Sequence, residues 1–169
     1  MPKKLKTIKN KKTLKPKKIV MVSGGFDPIH IGHIRMFQEA KKLGDKLIVL
    51  INNDNWLRAK KGKEFMSEED RKEIIEALEC VDEVYLTDHD EKIDFNHALD
   101  RSVCSALNKI RPHIFANGGD RFADDIPEFQ MCNELGIEMV FNVGHGGKVR
   151  SSSDLVKSYT TPKVNKKKN

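Results

Sequence analysis

His30 and His33 lie three residues apart in the stretch "SGGFDPIHIGH", residues 23–33, just after Gly24 and Gly25 and just before an amphipathic run. At that spacing two imidazoles share one side of a helix's first turn, and Gly32 leaves room between them. A helix beginning near Ile31 would present unsatisfied N–H groups and the positive end of its dipole to an anion. Gly24 and Gly25 allow a sharp turn and a close backbone approach, as phosphate-binding loops require. The chemistry that fits is phosphate binding, with a triphosphate meeting donors from both rings and from the backbone. The pair also fits half of a metal site, or two histidines on an ordinary surface helix, with no third ligand nearby.

The elements around the stretch alternate. "KKIVMVSG" is a short β-branched run ending at Gly24 and Gly25, and "HIRMFQEAKKLG" follows as a helix with Ile34, Phe37 and Ala40 at helical spacing and a stop at Gly44. "DKLIVLINND" is a second buried strand. "SEEDRKEIIEALE" is a helix with Ser67 as N-cap, Asp70 three residues on, and Ile74, Ile75 and Leu78 on its inner face. "VDEVYL", "HIFANGG" and "IEMVFNV" are further strands. "FNHALDRSVCSALNKI", closed by Pro112, and "IPEFQMCNELG" are helices, and "SSSDLVKSY" begins another. Strands spaced by helices predict an α/β fold: a Rossmann-like, doubly wound, five-stranded parallel sheet with right-handed crossovers. In such a sheet ligands bind beyond the carboxyl ends of the strands, near the switch in strand order. Residues 23–33 fall at the end of the first strand, where that crevice would open.

With 169 residues the chain suits one domain whose core needs no disulfide or metal. No apolar stretch approaches a membrane span and no secretory signal is visible, so a cytoplasmic protein is expected. Cys80, Cys104 and Cys132 are an odd number at wide spacings without a CxxC pair, which argues against a disulfide framework or zinc site and for buried thiols in a reducing compartment. The net charge of +6 belongs to the ends. Residues 1–18 hold nine lysines and residues 162–169 four; 31 less 13 leaves 18 basic residues against 25 acids, a charge of 18 − 25 = −7. Residues 1–17 and 161–169 read as disordered lysine-rich tails around a domain over 18–160, able to hold polyanions weakly but without aromatic residues to read bases.

"GGFDPIHIGH" resembles the signature of the HxGH nucleotidyltransferases, the cytidylyltransferase-like superfamily. The resemblance continues in order through "LIVLINND", the loop "RAKKG", the helix "MSEEDRKEIIEALECVDEV", "FANGGDR" and "RSSSDLVK", from residue 18 to about 160. The helix and "VDEV" are most similar to glycerol-3-phosphate cytidylyltransferase, "NGGD" to the heptose-phosphate adenylyltransferases, and "DPIHIGH" also to nicotinate mononucleotide adenylyltransferases. The resemblance implies catalytic roles for His30 and His33 at the nucleotide phosphates, and for Lys61, which would reach the α-phosphate when its loop closes. It implies a nucleotide site from Gly24, Gly25, Phe26, Asp27, Gly32, Asn117, Gly118, Arg150, Ser151, Ser152 and Ser153, the serines holding the β- and γ-phosphates while one caps a helix. Lys60 and Lys63 compete with Lys61, and Asp27 orders either the turn or a metal. Asp54, Arg71 and Asp120 would hold the acceptor, with helix capping for Asp54 and i,i+4 pairing for Arg71 as the structural alternatives. The sequence departs from the pattern at Gly146 and Gly147, where glycerol-phosphate enzymes carry an arginine, and at Asn117, where the heptose type carries a lysine.

The implied function is transfer of CMP or AMP from CTP or ATP, as the Mg²⁺ complex, to the phosphate of a small phosphorylated metabolite. That acceptor is a polyol or sugar phosphate such as glycerol 3-phosphate, with pyrophosphate released. A heptose phosphate or a mononucleotide is the alternative acceptor, and the family implies a homodimer. A phosphomonoester is largely dianionic near neutral pH, so the nucleophile needs no general base. Two readings of other classes stand beside it: a class I aminoacyl-tRNA synthetase, whose phosphate motif "HIGH" also matches, and a non-catalytic nucleotide or nucleic-acid binder using its tails. Alanine at His30 or His33 is expected to abolish turnover with thermal stability nearly unchanged.

Overall fold

Five apolar runs pair side by side, all parallel, in the order β3-β2-β1-β4-β5. The structure is a computed structural model and describes residues 17–97, 102–119, 128–144 and 150–160. The expected tails, apart from Lys17, lie outside the described residues. The strands are β1 (Ile19–Gly24), β2 (Lys46–Ile51), β3 (Glu83–Leu86), β4 (Ile114–Gly118) and β5 (Glu138–Val143). The helices are α1 (Ile31–Lys41), α2 (Asp54–Lys61), α3 (Glu68–Glu76), α4 (Cys104–Ile110), α5 (Glu128–Leu135) and α6 (Ser152–Thr160).

Because side chains alternate along a strand, both faces of this sheet carry apolar residues and both need helices. Val20, Val22, Val49 and Ile51 meet Met36, Phe37 and Ala40 of α1 and Ile75 of α3 on one face. Met21, Ile48, Leu50 and Phe115 meet Leu107 of α4 and Cys132 of α5 on the other. Complete burial of a side chain such as Phe37 contributes about 1.5–3 kcal/mol. The α/β reading therefore holds as a single domain around one doubly wound sheet. Strand order reverses between β1 and β4, and the crevice of such a sheet lies beyond their carboxyl ends.

Three local readings are corrected. Residues 54–61, where "RAKKG" was taken as loop, form α2, capped by the Asn53 side chain and ended by Gly62 at φ 84°. The inner face of α3 is Arg71 and Ile75, while Ile74 is 40% exposed. The helix expected from Phe95 begins at Cys104; residues 95–97 are turns and 98–101 lie outside the described residues, as does the expected start of α5. Ser67 caps α3 as expected, accepting from Asp70 N at 3.1 Å. All three cysteines are free thiols, with Cys104 and Cys132 buried and Cys80 only half-buried. Burial pushes the Cys132 thiol up to about 11. Among the described residues no helix is long and apolar enough to cross a membrane.

Candidate active site

A cleft of about 510 Å³ opens beyond the ends of β1 and β4. At its centre His30 is the N-cap of α1, in extended conformation (φ −149°, ψ 171°). The Gly32 N–H donates to His30 Nδ1 at 3.1 Å, and the His30 N–H donates to His33 Nδ1 at 3.3 Å. The two rings stack with centroids 3.7 Å apart and planes 17° apart. Since each Nδ1 accepts from a backbone N–H, the proton of each neutral ring resides on Nε2. Burial lowers the pKa of His30, helped by the charge of Arg150. Burial likewise holds His33 down to about 3, with the charges of His30 and Lys61 adding to it. At neutral pH the pair is two uncharged N–H donors.

The surrounding residues fix these rings. A Cβ on Gly32 would come within 3.0 Å of His30 Cε1, so a side chain at residue 32 would press against the ring where it now lies. Phe26 takes the left-handed region (φ 49°) and sets its ring edge-on to both His33 and Phe37, each 5.0 Å away. A Cβ on Gly24 would meet that ring at 2.9 Å, so Gly24 is required by the Phe26 position.

Asp27 is buried, and its carboxylate accepts from the N–H groups of Phe65 (2.9 Å) and Met66 (2.7 Å), tying the β1–α1 turn to the α2–α3 connection. Lys61, in the last turn of α2, donates from Nζ to the Asp27 carbonyl at 3.0 Å. Its ammonium is therefore placed at the cleft by a helix rather than by a loop that must close. Across the cleft Ser152 Oγ donates to the Pro28 carbonyl at 2.9 Å, and Ser151 Oγ accepts from Asp154 N at 3.4 Å, capping α6. Ser153 and Arg150 also face the cleft.

Gly24, Gly25, Phe26, Asp27, His30, Gly32, His33, Lys61, Asn117, Gly118, Arg150, Ser151, Ser152 and Ser153 are thus brought to one cleft. Asp54 and Arg71, expected to hold the acceptor, do not line it. Arg71 is 0% exposed and donates to the carbonyls of Gly25 (2.7 Å), Asn52 (2.8 Å) and Met66 (3.2 Å) and to Asp54 Oδ1 (2.6 Å). This guanidinium is enclosed by the backbone it holds together, with its charge met by Asp54. Asp120, Gly146 and Gly147 lie outside the described residues.

Asn52 and Trp56 also line the cleft and were not singled out in the sequence. A polar residue immediately after a buried strand was the available signal for Asn52. Among the described residues no three His, Cys, Asp or Glu side chains converge as ligands for a metal ion. The carboxylates of Asp27 and Asp54 are engaged as above, so this donor set does not fit a divalent ion held by these residues alone.

The family model described as cytidylyltransferase-like matches residues 21–157. The chain is 37% identical over 108 residues to an FAD synthase of Ferroglobus placidus, covering 64% of this chain and 63% of that one. It is 31% identical to an FAD synthase of Picrophilus torridus, covering 80% and 91%. It is 32% identical to the bifunctional protein HldE of Pelobacter propionicus, covering 73% of this chain and 24% of the relative, so it spans about a quarter of that protein's length. A lipopolysaccharide core biosynthesis protein from Thermoplasma volcanium shares the fold, with TM-score 0.60 and 24% identity over 77% of this chain and 99% of that one.

Proposed function

The chain belongs to the cytidylyltransferase-like family, and on that premise we propose that it is a nucleotidyltransferase acting on a small phosphorylated metabolite. A phosphate oxygen of the acceptor attacks the α-phosphorus of a nucleoside triphosphate in line; the new P–O bond forms as the bond to the β-phosphate oxygen breaks, and pyrophosphate leaves. The observation that carries this reading is the stacked pair His30 and His33, with both Nδ1 atoms turned into the backbone at the N-terminus of α1. Rings held this way donate and do not accept. They suit a reaction whose nucleophile is already ionised and whose difficulty is bringing anionic groups together.

Lys61 adds a cation next to the rings. Arg150 and Ser151–Ser153, at the N-terminus of α6, hold the outer phosphates. Mg²⁺ enters with the triphosphate as part of the substrate and supplies charge neutralisation there. The donor is CTP or ATP; the adenine in the product of the FAD synthase relatives favours ATP. The same reading carries a domain over residues 18–160, a homodimer, and weak polyanion binding by the lysine-rich ends.

The test is a melting series with ATP, CTP, GTP and UTP, each with Mg²⁺, followed by pyrophosphate release over phosphorylated polyols, sugars and flavin mononucleotide. A nucleotide at 100 times its dissociation constant stabilises by about 2.7 kcal/mol. One nucleotide standing out, with acceptor-dependent pyrophosphate, is the expected result. A nucleotide that binds without pyrophosphate release from any acceptor would turn the reading to a non-catalytic binder.

A further inference from the structure

Lys61 stands in the last turn of α2, so the course of that helix decides where its ammonium lies. At its first turn α2 is moored to the segment that follows β3. The Asn53 N–H donates to Thr87 Oγ1 at 2.9 Å, and the side-chain amides of Asn53 and Asn55 both donate to the His89 carbonyl, at 2.8 and 3.0 Å. Asn53 is also the cap of α2, its Oδ1 accepting from the Trp56 N–H at 3.1 Å. Asn53 and Thr87 are buried, so water does not compete for these bonds. Two amides from the start of α2 thus converge on one backbone oxygen, which belongs to a stretch with no helix or strand of its own.

The His89 ring fixes that stretch. Its Nε2 lies 3.1 Å from the Ser102 carbonyl, two residues before α4, and its Nδ1 lies 2.7 Å from Thr87 Oγ1. A carbonyl only accepts, so Nε2 carries a proton. Thr87 Oγ1 already accepts from Asn53, and its own proton is given to Nδ1. The ring therefore ties the end of β3 to the start of α4, while the carbonyl of the same residue holds the start of α2. His89 does not line the cleft, and its effect on the site passes through the helix it holds.

We propose that His89 is a positioning residue for Lys61: by turning its carbonyl to Asn53 and Asn55 it sets the course of α2 and so seats the Lys61 ammonium beside His33. This rests on the nucleotidyl-transfer reading above, in which Lys61 is the cation next to the rings. A residue that merely stabilised the fold would act equally with or without the ammonium. One that acts through Lys61 has nothing left to position once the ammonium is removed, so the two substitutions are not additive.

The experiment is a double-substitution cycle on the full chain, with His89→Ala, Lys61→Met and the two together, below the melting temperature of all four proteins. Pyrophosphate release is measured with Mg²⁺–ATP and Mg²⁺–CTP over glycerol 3-phosphate, glucose 1-phosphate and flavin mononucleotide. His89→Ala should lower kcat by about tenfold when Lys61 is present and by less than about twofold when it is Met. Asn55→Ala removes one of the two amides on the His89 carbonyl and puts a residue that favours helix in its place. It should show the same dependence on Lys61 at smaller size, and it carries the cycle if His89→Ala does not fold. A proton NMR titration of the His33 imidazole reads the position of the ammonium apart from activity: either variant should raise the His33 pKa in the wild-type background and leave it unchanged in Lys61→Met. An equal fall in kcat in both backgrounds, or a His33 titration that does not move, overturns the positioning role and leaves the transfer reaction standing. No pyrophosphate from the wild type with any acceptor overturns the transfer reading, and the titration alone then decides whether His89 seats the ammonium.

Discussion

His30 and His33 face each other as parallel rings 3.7 Å apart, each accepting a backbone N–H through Nδ1. The ring that donates into the cleft is thus also the cap of the helix that presents it, which separates the two roles by substitution. Asn at position 30 keeps a capping oxygen without the Nε2–H. His30→Asn should reduce turnover by on the order of 10²-fold or more at near wild-type stability. His30→Ala should lose about 1 kcal/mol of stability as well. This revises the expectation that alanine here leaves stability unchanged. Steady-state pyrophosphate release and urea unfolding read the two effects; an active His30→Asn enzyme would remove the ring from the reaction.

His33 titrates ordinarily at 6.5 and is held down to about 3, chiefly by burial. The unfolded chain takes up that proton near 6.5 and the folded chain only near 3, so between these values protons favour the unfolded chain. The contribution to stability is complete above pH 6.5 and is lost as the pH falls from there toward 3. Urea midpoints of the wild type should therefore fall more steeply from pH 7 to pH 4 than those of His33→Gln. Parallel curves for the two proteins would refute the burial of a neutral ring.

The ammonium of Lys61 bonds the Asp27 carbonyl and contributes to the depression of His33. Lys61→Met should lower kcat/KM by on the order of 10²-fold and let the His33 pKa rise. An imidazole proton titration by NMR reads the second effect directly. A His33 pKa that stays where it was would show that the cation is not beside the rings.

Arg71 and Asp54 form a buried pair that binds the ends of β1, β2 and α2. Removing one partner leaves the other charge buried, a loss of about 3–5 kcal/mol. Arg71→Ala and Asp54→Ala should lower the unfolding free energy on that scale. A change in acceptor KM at wild-type stability would instead favour the acceptor role expected from the sequence.

Gly32→Ala places a methyl group 3.0 Å from His30 Cε1 at a site where alanine otherwise favours helix. The expected result is a fall in kcat of about tenfold or more with little change in melting temperature. An unaffected kcat would mean that the ring moves aside without cost.

The strands were legible because "IVMVS", "KLIVLI" and "IFAN" are apolar on both faces, as a sheet covered on both sides requires. The His pair was legible because strand end, helix start and histidine spacing are all local. Arg71 was not: its partners Gly25, Asn52 and Asp54 lie 46, 19 and 17 residues away, and an arginine among helix acids looks solvated until those carbonyls are placed around it. α2 was missed because "DNWLRAKK" is short and polar, with Trp56 and Leu57 its only apolar side chains larger than alanine. Asn52 reads as part of a polar turn, and only the parallel pairing of β2 with β1 reveals that its amide lies against the cleft.

The bond from Lys61 to the Asp27 carbonyl bears on the kinetics of capture. A lysine that had to find its phosphate after binding would lose rotamer freedom at that moment, up to about 2 kcal/mol. Here the ammonium is already seated on the turn that carries His30 and His33, itself tied through Asp27 to Phe65 and Met66. That ordering belongs to folding, so arrival of the nucleotide requires no separate isomerisation of this cation, and binding should follow a single exponential whose rate rises linearly with nucleotide concentration.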